Sequence, residues 1–376
     1  MTKNIYQNEL RKREFFEHLK GAEGFAETSI NMFAEAIDQW QLFTENEDFI
    51  NFNKTKAGEF VEWLKKRGSK TPSGQISLPT QYNYLRRIKR FFKWLSDQPK
   101  YRKILKSDID FMRLSKKENR IATSGTTKRI PTLEEFKTII ESIEIRNEID
   151  KRDRAMICLT LITGMRVSAL VSLKMKSFDK TDKRFDQNPN DGVKTKASKR
   201  IITTFFPIRW DKAEQYFMEW YEYLETKGFK PDDPIFPATL NSTVSLTKII
   251  VGAVNNSYSK DFISKEFWSG TGGARKIFEK RCKNAGLNYF NPHSLRHSIV
   301  SILSKKRLTE EEKKAISLNL GHSDIGTTFG SYGYGSMSDE TAIDIVKKLK
   351  EQDNGKNNGG ISDEDKAVLK RLLAGI

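Results

Sequence analysis

Apolar positions recur at helical spacing along much of this chain. Ile30, Phe33, Ala34, Ile37 and Trp40 make one stripe, and Phe60, Val61 and Leu64 a second that stops before Gly68. Pro72 and Gly74 break the chain, and Thr80 is placed to cap a helix whose Tyr84, Leu85, Ile88, Phe91, Phe92 and Leu95 share a face. Residues 1–24 are charged and mixed, with Asn8 to Leu19 fitting an extra N-terminal helix. The pattern predicts an all-helical domain over residues 1–115.

Periodicity lapses from 116 to 131 (KKENRIATSGTTKRIP), a basic stretch with the composition of an interdomain linker. Thr132 and Glu135 then have capping-box spacing and open a second domain, 132–350. In LTLITGMRVSALVSLK, Thr163 and Gly164 mark a helix start, and Val167, Leu170 and Val171 form its buried stripe. After Ser177 the pattern alternates. SFDKTDKRFDQ, GVKTK and RIITTFFPI read as three short strands, with turns at Asn188–Gly192 and Lys196–Lys199. Helical patterns return at 210–226, with Trp210, Phe217, Trp220 and Tyr221 as core, and in a basic run over 263–286. Thr341 to Leu349 is a further helix, DNGKNNGG a flexible linker, and Ser362 caps a last helix carrying Val368, Leu369, Leu372 and Leu373. The class is mainly α with a small antiparallel sheet.

Charge narrows the class. Lys and Arg total 66 against 49 acids, a net +17 over 376 residues, so a polyanion is the natural partner. The helix over 80–95 carries Arg86, Arg87, Lys89, Arg90 and Lys93 opposite its apolar face with no acid among them, which suits a DNA backbone. Lys128 and Arg129 in the linker suit it too. The distant Cys158 and Cys282 fit a reducing cytoplasm better than a disulfide framework. No apolar signal core opens the chain, and no run reaches the ~18 apolar residues of a membrane span. A cytoplasmic protein without membrane contact is expected.

The richest chemistry lies between Asn291 and Gly335. Three of the chain's four histidines, His293, His297 and His322, fall there. Asn291 is placed as an N-cap and Pro292 in a first turn, so His293 and Arg296 share one face near a helix N-terminus, where orphan amides favour an anion. A second helix, Glu310 to Leu320, stops at Gly321, and His322 follows. Tyr332 and Tyr334 lie in a glycine-rich stretch beyond it. Upstream, Arg166 occupies the first turn of its helix, a terminus that disfavours cations, and a local rule broken in this way suggests function.

TG-x-R at 163–166, His-x-x-Arg at 293–296, Leu-Gly-His at 320–322 and the tyrosine after it resemble the signature of the tyrosine recombinase (phage integrase) family. The resemblance runs over about residues 12–350, strongest in 160–173 and 288–335. It implies a SAM-like helical core-binding domain joined to a mixed α/β catalytic domain in a C-shaped clamp on DNA. It also implies a catalytic set of Arg166, Lys196, His293, Arg296, His322 and Tyr332. The lysine comes from the last turn of the sheet, where Lys199 is the alternative to Lys196. Tyr332 lies ten residues after His322, one more than is usual in the family, which leaves Tyr334 as its rival.

These residue types suit phosphodiester chemistry on their own terms. A phenolate can attack phosphorus and keep the bond energy in a phosphotyrosine. Arginine forks match nonbridging oxygens, a lysine can protonate the leaving 5′-oxygen, and a histidine can accept the phenolic proton. The resemblance implies a 3′-phosphotyrosyl linkage, strand exchange between two duplexes, and no cofactor, metal or ATP. The expected partners are double-stranded DNA, further copies of the chain in a tetramer, and accessory DNA-bending proteins. The C-terminal helix would either pass to a neighbouring copy or dock in cis. A type IB topoisomerase-like enzyme and a non-catalytic DNA-binding regulator are the alternatives.

Overall fold

The computed structural model describes residues 3–68, 74–124, 129–239, 262–306, 308–333 and 343. The chain divides into two units, Met1–Thr126 and Thr127–Ile376. The fold is mainly α with one three-stranded antiparallel sheet, as the hydrophobic pattern predicts.

The first unit is helical: α1 (Lys3–Gly21), α2 (Glu27–Phe43), α3 (Lys54–Lys66), α4 (Leu78–Ser96), α5 (Lys106–Ile109) and α6 (Lys116–Thr123). Its core is aromatic, with Trp40 ringed by Phe43, Phe52, Phe60 and Phe92 at centroid distances of 5.6, 5.4, 5.1 and 5.0 Å. Such rings remove the most apolar area per side chain. Helix α1 extends past both ends of the 8–19 reading. Its inner face is partly polar, which hid its period. Asn8 is fully buried, donating to Glu47 O at 2.9 Å and accepting from Phe49 N at 3.2 Å, and Lys12 reaches Asp38 and Gln41 at 2.8 Å each. In α2, Ala36 rather than Ala34 completes the buried stripe. Ser77, not Thr80, precedes α4, and Pro79 takes the first turn, where a missing N–H is harmless.

Residues 116–123 do not form the irregular linker expected of them. Ser115 and Glu118 cap α6 reciprocally, and Ala122 is buried in the core of the first unit. About two turns with one buried residue leave too little period to read. The cations of α4 also find more relief than the sequence suggested. Arg90 pairs with Glu23 and lies 4.9 Å from the Phe25 ring, while Lys89 is 3.4 Å from Asp110. Arg86 and Lys93 are exposed and pair with no carboxylate among the described residues.

The second unit holds α7 (Leu133–Glu141), α8 (Glu148–Thr163), α9 (Val167–Leu170), β1 (Phe178–Asp179), β2 (Arg184–Gln187), β3 (Ile201–Thr204), α10 (Lys212–Thr226), α11 (Gly272–Asn284), α12 (Ser294–Ser304), α13 (Glu310–Asn319) and a π-helix, Gly326–Gly333. The Thr132–Glu135 capping box is present. Every residue of α8 from Ala155 to Thr163 is buried, so this helix is the axis of the core. Thr163 therefore ends a helix rather than starting one. Gly164 follows at φ 62°, and only the short α9 continues beyond it. A run that is apolar all round has no face by which sequence can fix its phase.

The strands also fall differently. SFDKTDKRFDQ is itself a hairpin, β1 pairing Phe178 with Phe185, and GVKTK is not a strand; β2 pairs with β3 from Gln187–Ile201 to Arg184–Thr204. The sheet order β1-β2-β3 leaves residues 188–200 as one long loop entering β3. Within the basic 263–286 stretch, the helical part is α11, and its Arg281 points inward. It bonds Asp150 at 2.6 Å and Asp153 at 2.6 and 3.0 Å, all buried. Lys128, Tyr334, nearly all of the 341–349 helix and the tail lie outside the described residues.

Candidate active site

Helix α13 sets one wall of the site. Thr309 and Glu312 cap its start. At its end Gly321, at φ 73°, occupies the left-handed position, its N–H bonding Leu318 O at 2.8 Å while the His322 N–H reaches back to Ser317 O at 2.8 Å. This paired closure fixes the backbone of His322. A Cβ on Gly321 would stand 2.5 Å from Ile201 Cδ1, so β3 can lie against the turn only because the residue is glycine.

The second wall is the start of α12. Asn291 accepts the His293 N–H at 2.9 Å, and the regular helix begins at Ser294, slightly later than an Asn291 cap implies. His293 thus stands at the helix entrance, 5.7 Å from the ring of His297. Arg296, one turn in, is 1% exposed. It donates to Gly164 O through Nη1, and through Nη2 to Leu320 O at 2.6 Å and to His322 Nε2 at 2.9 Å. The third wall follows from that first bond. Gly164 closes α8, a Cβ there would meet Leu320 Cδ2 at 2.8 Å, and two residues later Arg166 holds the N-cap of α9 with extended backbone. Arg166 is half-buried.

Because a guanidinium only donates, His322 Nε2 must carry the lone pair. The proton is then on Nδ1, donated to the buried hydroxyl of Thr328 at 2.9 Å. His322 is 5% exposed, and burial, reinforced by Arg296, Arg166, His293 and Lys196, lowers its pKa to about 4. His293 is also lowered to about 4, first by desolvation and then by Arg296, His297, Arg166 and Lys196. His293 is exposed, whereas His322 is buried. Both imidazoles are neutral at physiological pH, and the lone pair of His322 is already taken by Arg296.

The structure brings Arg166, His293, Arg296 and His322 to one place from three segments. Lys196 is exposed on the β2–β3 loop, in a tight turn where Ala197 and Ser198 take positive φ of 56° and 49°, and its charge is felt at both histidines. Lys199 is exposed too and lies 3.1 Å from Ser323 Oγ. The backbone of Tyr332 is in the π-helix; its side chain lies outside the described residues, as does Tyr334. Arg129 is engaged by Glu135 at 2.6 Å and lies 5.7 Å from the Phe290 ring. Sequence reasoning read Gly164 as a helix start and not as the carbonyl that holds Arg296, and it missed Thr328 and Asn319. The last returns two hydrogen bonds to the backbone of Thr204 and, with nothing but its proximity to His322 to distinguish it, gave no signal.

The sequence model of the phage integrase family matches residues 129–337. Tyrosine recombinase XerC of Lactobacillus delbrueckii subsp. bulgaricus is 23% identical over 324 residues, 84% of this chain and 92% of its own. Tyrosine recombinase XerD of Halalkalibacterium halodurans is 25% identical over 209 residues, 54% of this chain and 57% of its own. Among solved structures, a lambda integrase tetramer bound to a Holliday junction aligns with TM-score 0.59 at 13% identity, covering 87% of this chain and 78% of that one. The XerH site-specific recombinase bound to a palindromic difH substrate, a post-cleavage complex, aligns with TM-score 0.54 at 19% identity, covering 90% and 85%.

Proposed function

The chain belongs to the phage integrase family, and from that premise we propose how its own residues carry out the work of a site-specific DNA recombinase. It breaks and rejoins DNA strands. The observation that carries the residue assignment is the bonding of Arg296 to Gly164, Leu320 and His322, which gathers the TG-x-R, His-x-x-Arg and Leu-Gly-His segments around one point.

At that point Arg166 grips the nonbridging oxygens of the scissile phosphate. Arg296, held from behind by protein acceptors, adds positive charge without having to reorganise during the reaction. Tyr332 attacks phosphorus to form the 3′-phosphotyrosyl bond. Neutral His293, at the open entrance of α12, accepts the phenolic proton. His322 orients the Arg296 fork. A lysine of the β2–β3 loop, Lys196 ahead of Lys199, protonates the departing 5′-oxygen. Arg86, Arg87, Lys93 and the linker cations contact the DNA backbone. The chain works on double-stranded DNA as an oligomer. A tetramer joining two duplexes, passage of residues 355–376 to a neighbouring copy, and help from DNA-bending proteins complete the proposal. The relatives are recombinases, and nothing favours the topoisomerase-like or non-catalytic readings.

Suicide DNA, nicked so that the cleaved end diffuses away, tests the assignment by trapping the covalent complex. Tyr332→Phe should bind this DNA and form none. Protein-linked DNA from Tyr332→Phe, together with its loss in Tyr334→Phe, would move the nucleophile to Tyr334.

A further inference from the structure

Strand β3 is the edge of its sheet, and an edge exposes backbone donors and acceptors. Here one side chain takes both free groups of Thr204. The amide of Asn319 accepts the Thr204 N–H at 2.8 Å and donates to Thr204 O at 3.0 Å, as a neighbouring strand would. The same junction is tied a second time by Thr203. Its buried hydroxyl donates to Asn319 O at 2.9 Å and accepts from Gln187 on β2 at 2.7 Å. At the start of β3, Ile201 packs against Gly321, close enough that no Cβ would fit. Both ends of β3 are therefore registered on residues 319–321, immediately before His322. The loop that feeds β3 carries Lys196 and Lys199, and Lys199 Nζ already reaches Ser323 Oγ at 3.1 Å.

We infer that Asn319 is a positioning residue, whose paired hydrogen bonds to Thr204 set the lysine-bearing β2–β3 loop in register with the His322 turn. The inference rests on the reading of that loop's lysine as the proton donor to the leaving 5′-oxygen. Leucine has the same branched side-chain skeleton as asparagine but makes neither bond, so Asn319→Leu frees the edge of β3 from α13. A displacement of about an ångström at a reacting group costs on the order of 100-fold in rate. Asn319→Asp keeps the acceptor for the Thr204 N–H but turns a carboxylate on Thr204 O, and should give a defect in the same direction.

The test compares cleavage of ordinary suicide DNA with the same DNA carrying sulfur in place of the bridging 5′-oxygen at the scissile phosphate. A thiolate leaves without being protonated, so the reaction no longer needs the lysine's proton. Asn319→Leu should be slowed about 100-fold on ordinary DNA and largely restored on the sulfur substrate, in parallel with Lys196→Ala or Lys199→Ala. Each preparation is read as the ratio of its two rates, which does not depend on the fraction of protein that is folded. Restoration of a lysine variant but not of Asn319→Leu overturns the inference while leaving the proton donor in place. Equal defects on both substrates for Asn319→Leu and both lysine variants would overturn the proton donor, and the inference with it.

Discussion

Arg296 Nη2 lies 2.9 Å from His322 Nε2, and the direction of that bond is fixed because arginine has no lone pair to offer. The same guanidinium satisfies the carbonyls of Gly164 and Leu320. Arg296→Lys keeps the charge but not the fork, and a point ammonium cannot serve three acceptors so placed. Each buried carbonyl left unpaired costs about 1–3 kcal/mol. Arg296→Lys should therefore lower the melting temperature and slow cleavage by about 10²–10³. Arg166→Lys, at a half-buried site, should slow cleavage with a much smaller change in melting. Calorimetry beside the suicide-DNA assay separates the two.

Thr328 is fully buried and receives the Nδ1 proton of His322. Thr328→Val keeps the shape and strands that donor, at about 1–3 kcal/mol. Thr328→Ser restores the hydroxyl and should recover most of the cleavage rate that valine loses. Serine and valine variants of equal activity would mean that the hydroxyl does not orient the ring.

The depressed imidazole of His322 sets a pH dependence of stability. Its folded pKa is about 4, below the ~6.5 of an unfolded histidine, so on acidification the unfolded chain takes up the proton first. The contribution is fully present above the unfolded value and is lost as pH falls toward about 4. Denaturant midpoints should therefore fall between neutral pH and that range. The fall should be smaller in His322→Gln, and an equal fall in both proteins would show that the ring does not titrate as its burial implies.

On α4 the basic residues divide into those held by protein and those left to solvent. Arg86→Ala and Lys93→Ala should each reduce the slope of log affinity against log salt by about 1, with little effect on melting. Arg90→Ala removes a cation that pairs with Glu23 and covers Phe25, and should lower the melting temperature. Filter binding across a salt series, with melting curves on the same proteins, reads both.

Gly164 tests the packing at the centre of the site. At φ 62° with Leu320, Ile299 and Arg296 within 3.6 Å of a would-be Cβ, Gly164→Ala meets both backbone strain and a clash. It should destabilise the fold by more than about 1 kcal/mol and slow cleavage through Arg296.

Elements with one apolar face were legible in the sequence, as the helices around Trp40, Phe92 and Trp220 show. So were boundaries written in side-chain chemistry, such as the Thr132 capping box and the left-handed Gly321. Helix α8 lost its phase because it is buried on every side, and α1 because Asn8 and Lys12 stand where apolar residues were expected. The arginines and histidines of the site were legible through their spacing along the chain. What holds them was not: the Gly164 and Leu320 carbonyls belong to the backbone, which every residue has, and Asn319 meets Thr204 across 115 residues.

The π-helix at Gly326–Gly333 gives the odd tyrosine spacing a physical meaning. Hydrogen bonds from i to i+5 accommodate one more residue per turn than those of an α-helix. An added residue between His322 and Tyr332 can thus be stored as a widened turn, leaving both flanks where a shorter chain would have put them. The surplus is also a reserve of length. If the turn relaxed to α geometry, the extra residue would be paid out downstream and the backbone of Tyr332 would rotate by about 100°, one residue's worth of helix. The segment that carries Tyr332 would then step by one hydrogen-bond register, with no hinge required.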